Sequence, residues 1–123
     1  MKHMLSNLKA LSDRNRLRVV AALLEVDELC ACQVVELLQV TGATASRHMG
    51  LLLNAGLVES RKDGRWVYYR LAGSVDPLLH RWLEQSLAAS NELAADRLLL
   101  AQIVACEPED LCRKQRGEAC CPR

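Results

Sequence analysis

Six cysteines carry the first chemical signal in this sequence: Cys30 and Cys32, then Cys106, Cys112 and the vicinal pair Cys120-Cys121. In a reducing compartment, clustered cysteines are more often metal ligands or redox groups than structural disulfides. The Cys30-Ala31-Cys32 pair has two readings, as small buried hydrophobes or as thiolates for a soft, thiophilic ion. A helix start at this point would lower the thiol pKa and favour thiolates. At i and i+2 of a regular helix the two side chains point about 200° apart, so one ion takes both only if that turn is extended or unwound. A site that forms by unwinding a helix start is a candidate switch. The four later thiols stand in a polar, Pro-containing stretch with little core to join, which leaves metal binding or reversible oxidation. Paired zinc knuckles are missing and no His stands near either pair. Three scattered His, no Gly-rich phosphate loop and no α/β pattern leave no enzyme constellation, and no organic cofactor is expected.

A second group of residues is polar and basic. Between Thr41 and Gly56, the residues Ala45, Met49, Leu52 and Gly56 fall on one helical stripe, with Arg47 opposite and Thr44 and Ser46 on the flanks. A short polar face with one Arg among small residues suits the major groove, where Arg forks to guanine and Ser or Thr contacts bases. His48 lies nearer the buried edge and reads as structural or phosphate-contacting before base-reading. Arg61, Lys62 and Arg65 stand at or near a hairpin tip, placed for phosphate or minor-groove contact. Any one of these cations alone reads as an ordinary solvated charge; their conjunction with the surrounding elements favours double-stranded DNA.

Those elements are legible from caps and periods. Ser12 or Asp13 caps a helix over Arg14–Glu25, with Leu17, Val20, Ala21 and Leu24 on one face. Asp27 opens a second helix to Leu38, and Thr41 caps a third through Asn54, with Gly56 as its left-handed stop. The short gap from Leu38 to Ala43 sets two helices at a steep angle, the geometry of a helix-turn-helix. The period then changes to two. Leu57–Arg61 and Arg65–Leu71 flank Lys62-Asp63-Gly64, a strong hairpin signal. Asp76-Pro77 starts a helix that runs unbroken to about Val104, roughly 43 Å at about 1.5 Å per residue. Its many Leu exceed what so small a body covers, so it is expected to pack on a second subunit.

The 123 residues suit one domain. With two Trp, two Tyr and no Phe, the core is built from Leu, Val and Ala. The net charge of +1 hides a split. Residues 1–70 hold ten Lys/Arg against seven Asp/Glu, and residues 71–123 six against eight. That balance excludes a polybasic coat protein and allows a local phosphate-binding face. The longest apolar run is the six residues Val19 to Leu24, far short of the ~18 of a membrane span. No secretory h-region opens the chain, so a cytoplasmic protein without membrane partners is expected. The expected organisation is a mainly α winged helix-turn-helix with a β-hairpin wing over 1–104, followed by a flexible cysteine-rich tail over 105–123.

Over about residues 5–104 the sequence resembles the ArsR/SmtB family of metal-responsive repressors, in its arsenical-resistance branch. The matching segments are Leu11-Ser12-Asp13, Arg16-Leu17-Arg18, Glu28-Leu29-Cys30-x-Cys32, Ser46-Arg47-His48, Ala55-Gly56-Leu57-Val58 and Gly64 through Leu71. The resemblance implies a homodimer joined through its first and last helices, bound to an inverted-repeat operator and released by metal. The third Cys frequent in the arsenic box is Val35 here, and residues 1–29 contain none of the N-terminal thiols of cadmium/lead sensors. The zinc pattern of the last helix is reduced to His80, so a zinc site is not expected there. Gly42 and Gly50 replace frequent polar and basic residues, so no operator sequence follows. The implied inducer is As(III) or Sb(III), held by Cys30, Cys32 and a third thiolate from Cys106, Cys112, Cys120 or Cys121. The alternatives are a four-thiolate Cd(II)/Pb(II) sensor, a metal-free thiol-redox switch closing Cys30–Cys32 or Cys120–Cys121, and a metal-buffering protein, which leaves the basic hairpin unexplained.

Overall fold

The computed structural model describes residues 1–115. Its elements in order are α1 (Lys2–Leu11), α2 (Arg14–Glu25), β1 (Leu29–Cys30), α3 (Ala31–Leu38), α4 (Gly42–Asn54), β2 (Val58–Asp63), β3 (Trp66–Leu71), α5 (Pro77–Ala88), a 3-10 turn (Asn91–Leu93), α6 (Ala94–Ala105) and α7 (Pro108–Gln115). Leu29, Val34, Leu37, Met49, Leu52, Val19 and Val20 are sealed between α2, α3, α4 and the sheet. This is the winged helix-turn-helix expected from the period change at Gly56. Among the described residues, no helix is long and apolar enough to cross a membrane.

Local chemistry accounts for the boundaries. Asp13 caps α2 by accepting the Arg16 N–H at 3.1 Å, and Thr41 caps α4 by accepting the Thr44 N–H at 3.2 Å. Helix α4 stops in a Schellman pair: Leu57 N–H donates to the Leu52 carbonyl at 3.1 Å and Gly56 N–H to Leu53 at 3.0 Å. That closure needs a left-handed residue at 56, and Gly56 has φ +76°. The α3–α4 turn uses a non-glycine instead. Gln39 sits at φ 55°, its amide donating to the Glu36 carbonyl at 2.6 Å.

The hairpin pairs Val58 with Leu71 through Asp63 with Trp66, which leaves Gly64-Arg65 as a two-residue loop with Gly64 at φ +61°. Glycine at the first loop position matches the strand twist. The tip is therefore one residue later than Lys62-Asp63-Gly64. The sheet has three strands in the order β1-β3-β2, with Leu29 opposite Tyr69 and Cys30 opposite Tyr68. The sequence reading of a helix from Asp27 is corrected here: Leu29-Cys30 is extended because β3 has an edge free to receive it.

Two further expectations are corrected. The single helix over 76–104 is two helices, broken at Ala89-Ser90, where Ser90 takes an extended backbone. Ser and Asn compete with helix through their own backbone contacts, and Arg97 reaches back to the Leu87 and Ala88 carbonyls at 3.0 and 3.1 Å, capping the end of α5. The stretch read as a flexible tail contains α7. Its first turn holds Glu109 and Asp110, favourable at a helix N-terminus, and Leu111 is buried with the core. Cys120 and Cys121 lie outside the described residues.

Candidate nucleic-acid interface and thiol site

The outward face of α4 presents Ser46 and Arg47 to solvent, with Thr44 half-buried at its start. Thr41 donates its hydroxyl to the Thr44 hydroxyl at 3.0 Å, so Thr44 shares in building the helix start as well as facing outward. His48 is buried, and its Nδ1 stands 3.1 Å from an Arg16 guanidinium nitrogen and 4.0 Å from Asp13 Oδ1. It braces α4 on the start of α2 and does not reach the solvent-facing side of the helix. Arg16 completes that brace with its Nε donating to the Ala10 carbonyl at 2.6 Å. Partial burial pushes the Asp13 carboxyl up, yet the Arg16 N–H and guanidinium outweigh it and hold the group below its ordinary range.

The wing cations differ from one another. Lys62 and Arg65 are exposed, and the Arg65 guanidinium lies 5.1 Å from the centre of the Trp66 ring. Arg61 is held away from the tip: its Nε donates to Glu28 at 3.0 Å, and its guanidinium covers the Tyr68 ring at 4.3 Å. Its charge is answered within the protein. The Arg61 guanidinium in turn keeps the Glu28 carboxyl below the usual range. Sequence spacing alone missed this pair, because its members are 33 residues apart and meet only through β1.

The two cysteines of the 30–32 segment part company. Cys30 is fully buried and caps α3 from an extended backbone, φ −82° and ψ 165°. The two thiols therefore do not share a helical turn, and the 200° separation does not apply. Gln33 Oε1 accepts the Cys30 N–H at 2.8 Å, a capping-box contact with Cys in the place usually taken by Ser or Thr. Burial pushes the Cys30 thiol up, outweighing the backbone N–H groups of Gln33 and Cys32 that favour its thiolate. The expectation of a lowered pKa at this helix start is corrected accordingly.

Cys32 faces α7 and is joined to Cys112 as a disulfide, with a Cα–Cα distance of 5.8 Å across 80 residues of sequence. Gln115 donates its amide to the Cys32 carbonyl at 2.8 Å, a second tie between α7 and the start of α3. Cys106 is buried at the end of α6. Among the described residues, no three His, Cys, Asp or Glu side chains converge on one point. What the fold gathers is one junction. Glu28 reaches β2, Leu29-Cys30 pairs with β3, and Cys32 meets α7, all at the entrance of the helix that supports α4.

A model of the family described as bacterial regulatory protein, arsR family, matches residues 13–60. A cadmium resistance transcriptional regulatory protein, CadC, of Listeria innocua is 48% identical over 61 residues. That match covers 50% of this chain and 51% of the relative, so the chain spans about half the length of that curated protein. An arsenic resistance transcriptional regulator of Pseudomonas putida is 34% identical over 91 residues, 74% of this chain and 79% of that protein. A solution structure of a homodimeric winged helix-turn-helix DNA-binding domain from Mycobacterium bovis, a possible ArsR-family regulator, superposes with a TM-score of 0.61 at 26% identity. It covers 76% of this chain and 82% of that one. Family model, identity along most of the chain and winged-helix architecture agree: the chain belongs to the arsR family of bacterial regulatory proteins.

Proposed function

We propose that this protein is a cytoplasmic, homodimeric transcriptional repressor that binds an inverted-repeat operator and releases it when As(III) or Sb(III) is taken by cysteine thiolates. Ser46 and Arg47 read the major groove, with Thr44 at its edge, while Lys62 and Arg65 on the wing contact phosphate or the minor groove. The inducer ligands are Cys30, Cys32 and Cys112. The observation that carries this choice is the meeting of Cys32 with a thiol supplied by α7, since trivalent arsenic favours sulfur donors. Once reduced, two half-buried thiols stand side by side, with Cys30 two residues away along the chain. The arsenic resistance relative supports the inducer class, and the homodimeric neighbour supports the assembly.

Release follows from where Cys30 sits. To ligate, its sulfur must leave the core, and its backbone is paired with Tyr68 on the wing strand. Turning Cys30 outward loosens β1 from β3 and shifts the start of α3, the helix that supports α4. Two protomers must fit successive grooves together, so a small tilt in each weakens the operator complex. By linkage the inducer weakens DNA binding by the same factor that DNA weakens inducer binding.

A second reading, a Cd(II)/Pb(II) repressor, is favoured by the 48% identity to the cadmium regulator over 61 residues. Fluorescence anisotropy of labelled inverted-repeat DNA, with reduced protein, tests both. Cys30→Ser and Cys32→Ser are expected to bind DNA normally and to stay bound when arsenite is added. A Cys30→Ser/Cys32→Ser protein that releases at wild-type arsenite concentrations overturns the site. Release by Cd(II) at concentrations far below those needed for arsenite favours the second reading.

A further inference from the structure

We propose that Cys32 and Cys112 form a redox lock on the inducer site: a peroxide joins them, and the oxidised protein keeps its DNA while unable to answer the inducer. This rests on the reading of Cys30, Cys32 and Cys112 as inducer ligands.

The geometry separates the three thiols by accessibility. Cys30 is fully buried, whereas Cys32 and Cys112 are each half-buried. Both line an open cleft with Ala31, Arg65, Trp66, Val67 and Glu109, a path for a small oxidant to their sulfurs. Docking of α7 does not depend on the bond alone. Leu111, next to Cys112, is 1% exposed within the core, and Gln115 holds the Cys32 carbonyl. A reduced Cys112 therefore stays beside Cys32, ready either to be oxidised or to ligate.

The chemistry balances without a resident cofactor. One thiolate attacks a peroxide oxygen, giving a sulfenic acid and releasing the alcohol, or water from hydrogen peroxide. The second thiol attacks the sulfenic sulfur, forming the disulfide and releasing water. Two thiols lose two electrons and two protons, and the peroxide bond takes them up. Reversal is exchange with two equivalents of a low-molecular-weight thiol, which leaves as its own disulfide.

The consequence is competitive. An S–S bond withdraws two of three thiolates from As(III) and leaves Cys30 alone in the core. The Ser46, Arg47, Lys62 and Arg65 face is intact and exposed with the bond in place, so DNA binding persists.

The full-length chain, reduced and freed of reductant, is titrated with arsenite on labelled inverted-repeat DNA before and after hydrogen peroxide. Peptide mass spectrometry without reduction identifies the bond formed. The expected result is a Cys32–Cys112 peptide, unchanged DNA affinity, an arsenite midpoint raised by roughly tenfold or more, and recovery with dithiothreitol. Cys120→Ser/Cys121→Ser should keep the shift, and Cys112→Ser should lose it. An oxidised, Cys32–Cys112-bonded protein with an unshifted midpoint overturns the lock, as does an equal shift in Cys112→Ser. If the reduced wild type itself ignores arsenite, the inducer reading falls and the lock falls with it.

Discussion

Single side chains on the proposed DNA face are not equivalent, and their partners say how each should behave. Arg47 is exposed with no acid beside it among the ion pairs of the described residues. Arg47→Ala should cost about 1–3 kcal/mol and relax preference at one base position, if its contact to guanine is bidentate. Arg65→Ala should weaken specific and random DNA alike and lower the salt-dependence slope by about one. Arg61 is already answered by Glu28, so Arg61→Ala should change the slope by less than Arg65→Ala. Salt titrations of the three variants by anisotropy distinguish these outcomes. Asp13 makes a different prediction. Its folded pKa is depressed, so its contribution to stability is full above the unfolded value of about 3.9 and is lost as pH falls through the folded one. Asp13→Asn keeps an N-cap acceptor without the charge. Denaturant midpoints should separate wild type from Asp13→Asn at pH 7, and the gap should close below about pH 4.

At the scale of elements, two positions decide how α4, the proposed groove-reading helix, and the thiol-bearing α7 are held. Gly56 has its nearest would-be Cβ neighbour, a His3 ring carbon, at 3.9 Å. Gly56→Ala therefore meets no clash and is penalised by its positive φ alone, about 1–2 kcal/mol, which thermal unfolding would show as a lowered Tm. Helix α7 seals Leu111 within the core. Leu111→Ala should leave the circular dichroism of the body near wild type and raise the arsenite midpoint toward that of Cys112→Ser. An unchanged midpoint would mean that α7 does not deliver the thiol.

The whole molecule leaves much apolar surface outside its core. Met4, Leu5 and Leu8 on α1, Leu78 and Trp82 on α5, and Leu98 on α6 are all exposed. The proposed two-fold dimer would cover these faces with a second copy and set paired α4 helices about one DNA turn, ~34 Å, apart. Sedimentation at micromolar concentration should show a dimer for wild type and a monomer for Trp82→Glu. Because Trp82 is 57% exposed in the single chain, its substitution should leave the monomer fold intact while DNA affinity falls. A wild-type monomer under these conditions removes the interface.

Short-range chemistry made part of this protein readable from its residues in order. Asp13, Thr41 and Asp76 cap helices because a side-chain oxygen needs only an N–H two or three residues away. Gly56 and Gly64 stop a helix and turn a hairpin because each takes a left-handed backbone within a local hydrogen-bonded closure or loop. The winged helix-turn-helix order followed from those signals, as did the exposed positions of Arg47, Lys62 and Arg65. The rest required partners remote in sequence. Whether Leu29-Cys30 is helix or strand was decided by the free edge of β3, and the break in the last helix by Arg97 reaching the carbonyls of α5. His48 turned inward because Arg16 and Asp13 receive it, and Arg61 left the tip because β1 carries Glu28 to it. The thiol site divided in the same way. Composition announced the cysteines, but the docking of α7 through Leu111 and Gln115 sets Cys112 beside Cys32 across 80 residues, and the pairing of β1 with β3 accompanies the burial of Cys30. Contacts within a turn are encoded by spacing; contacts between elements exist only once the core has chosen which faces meet.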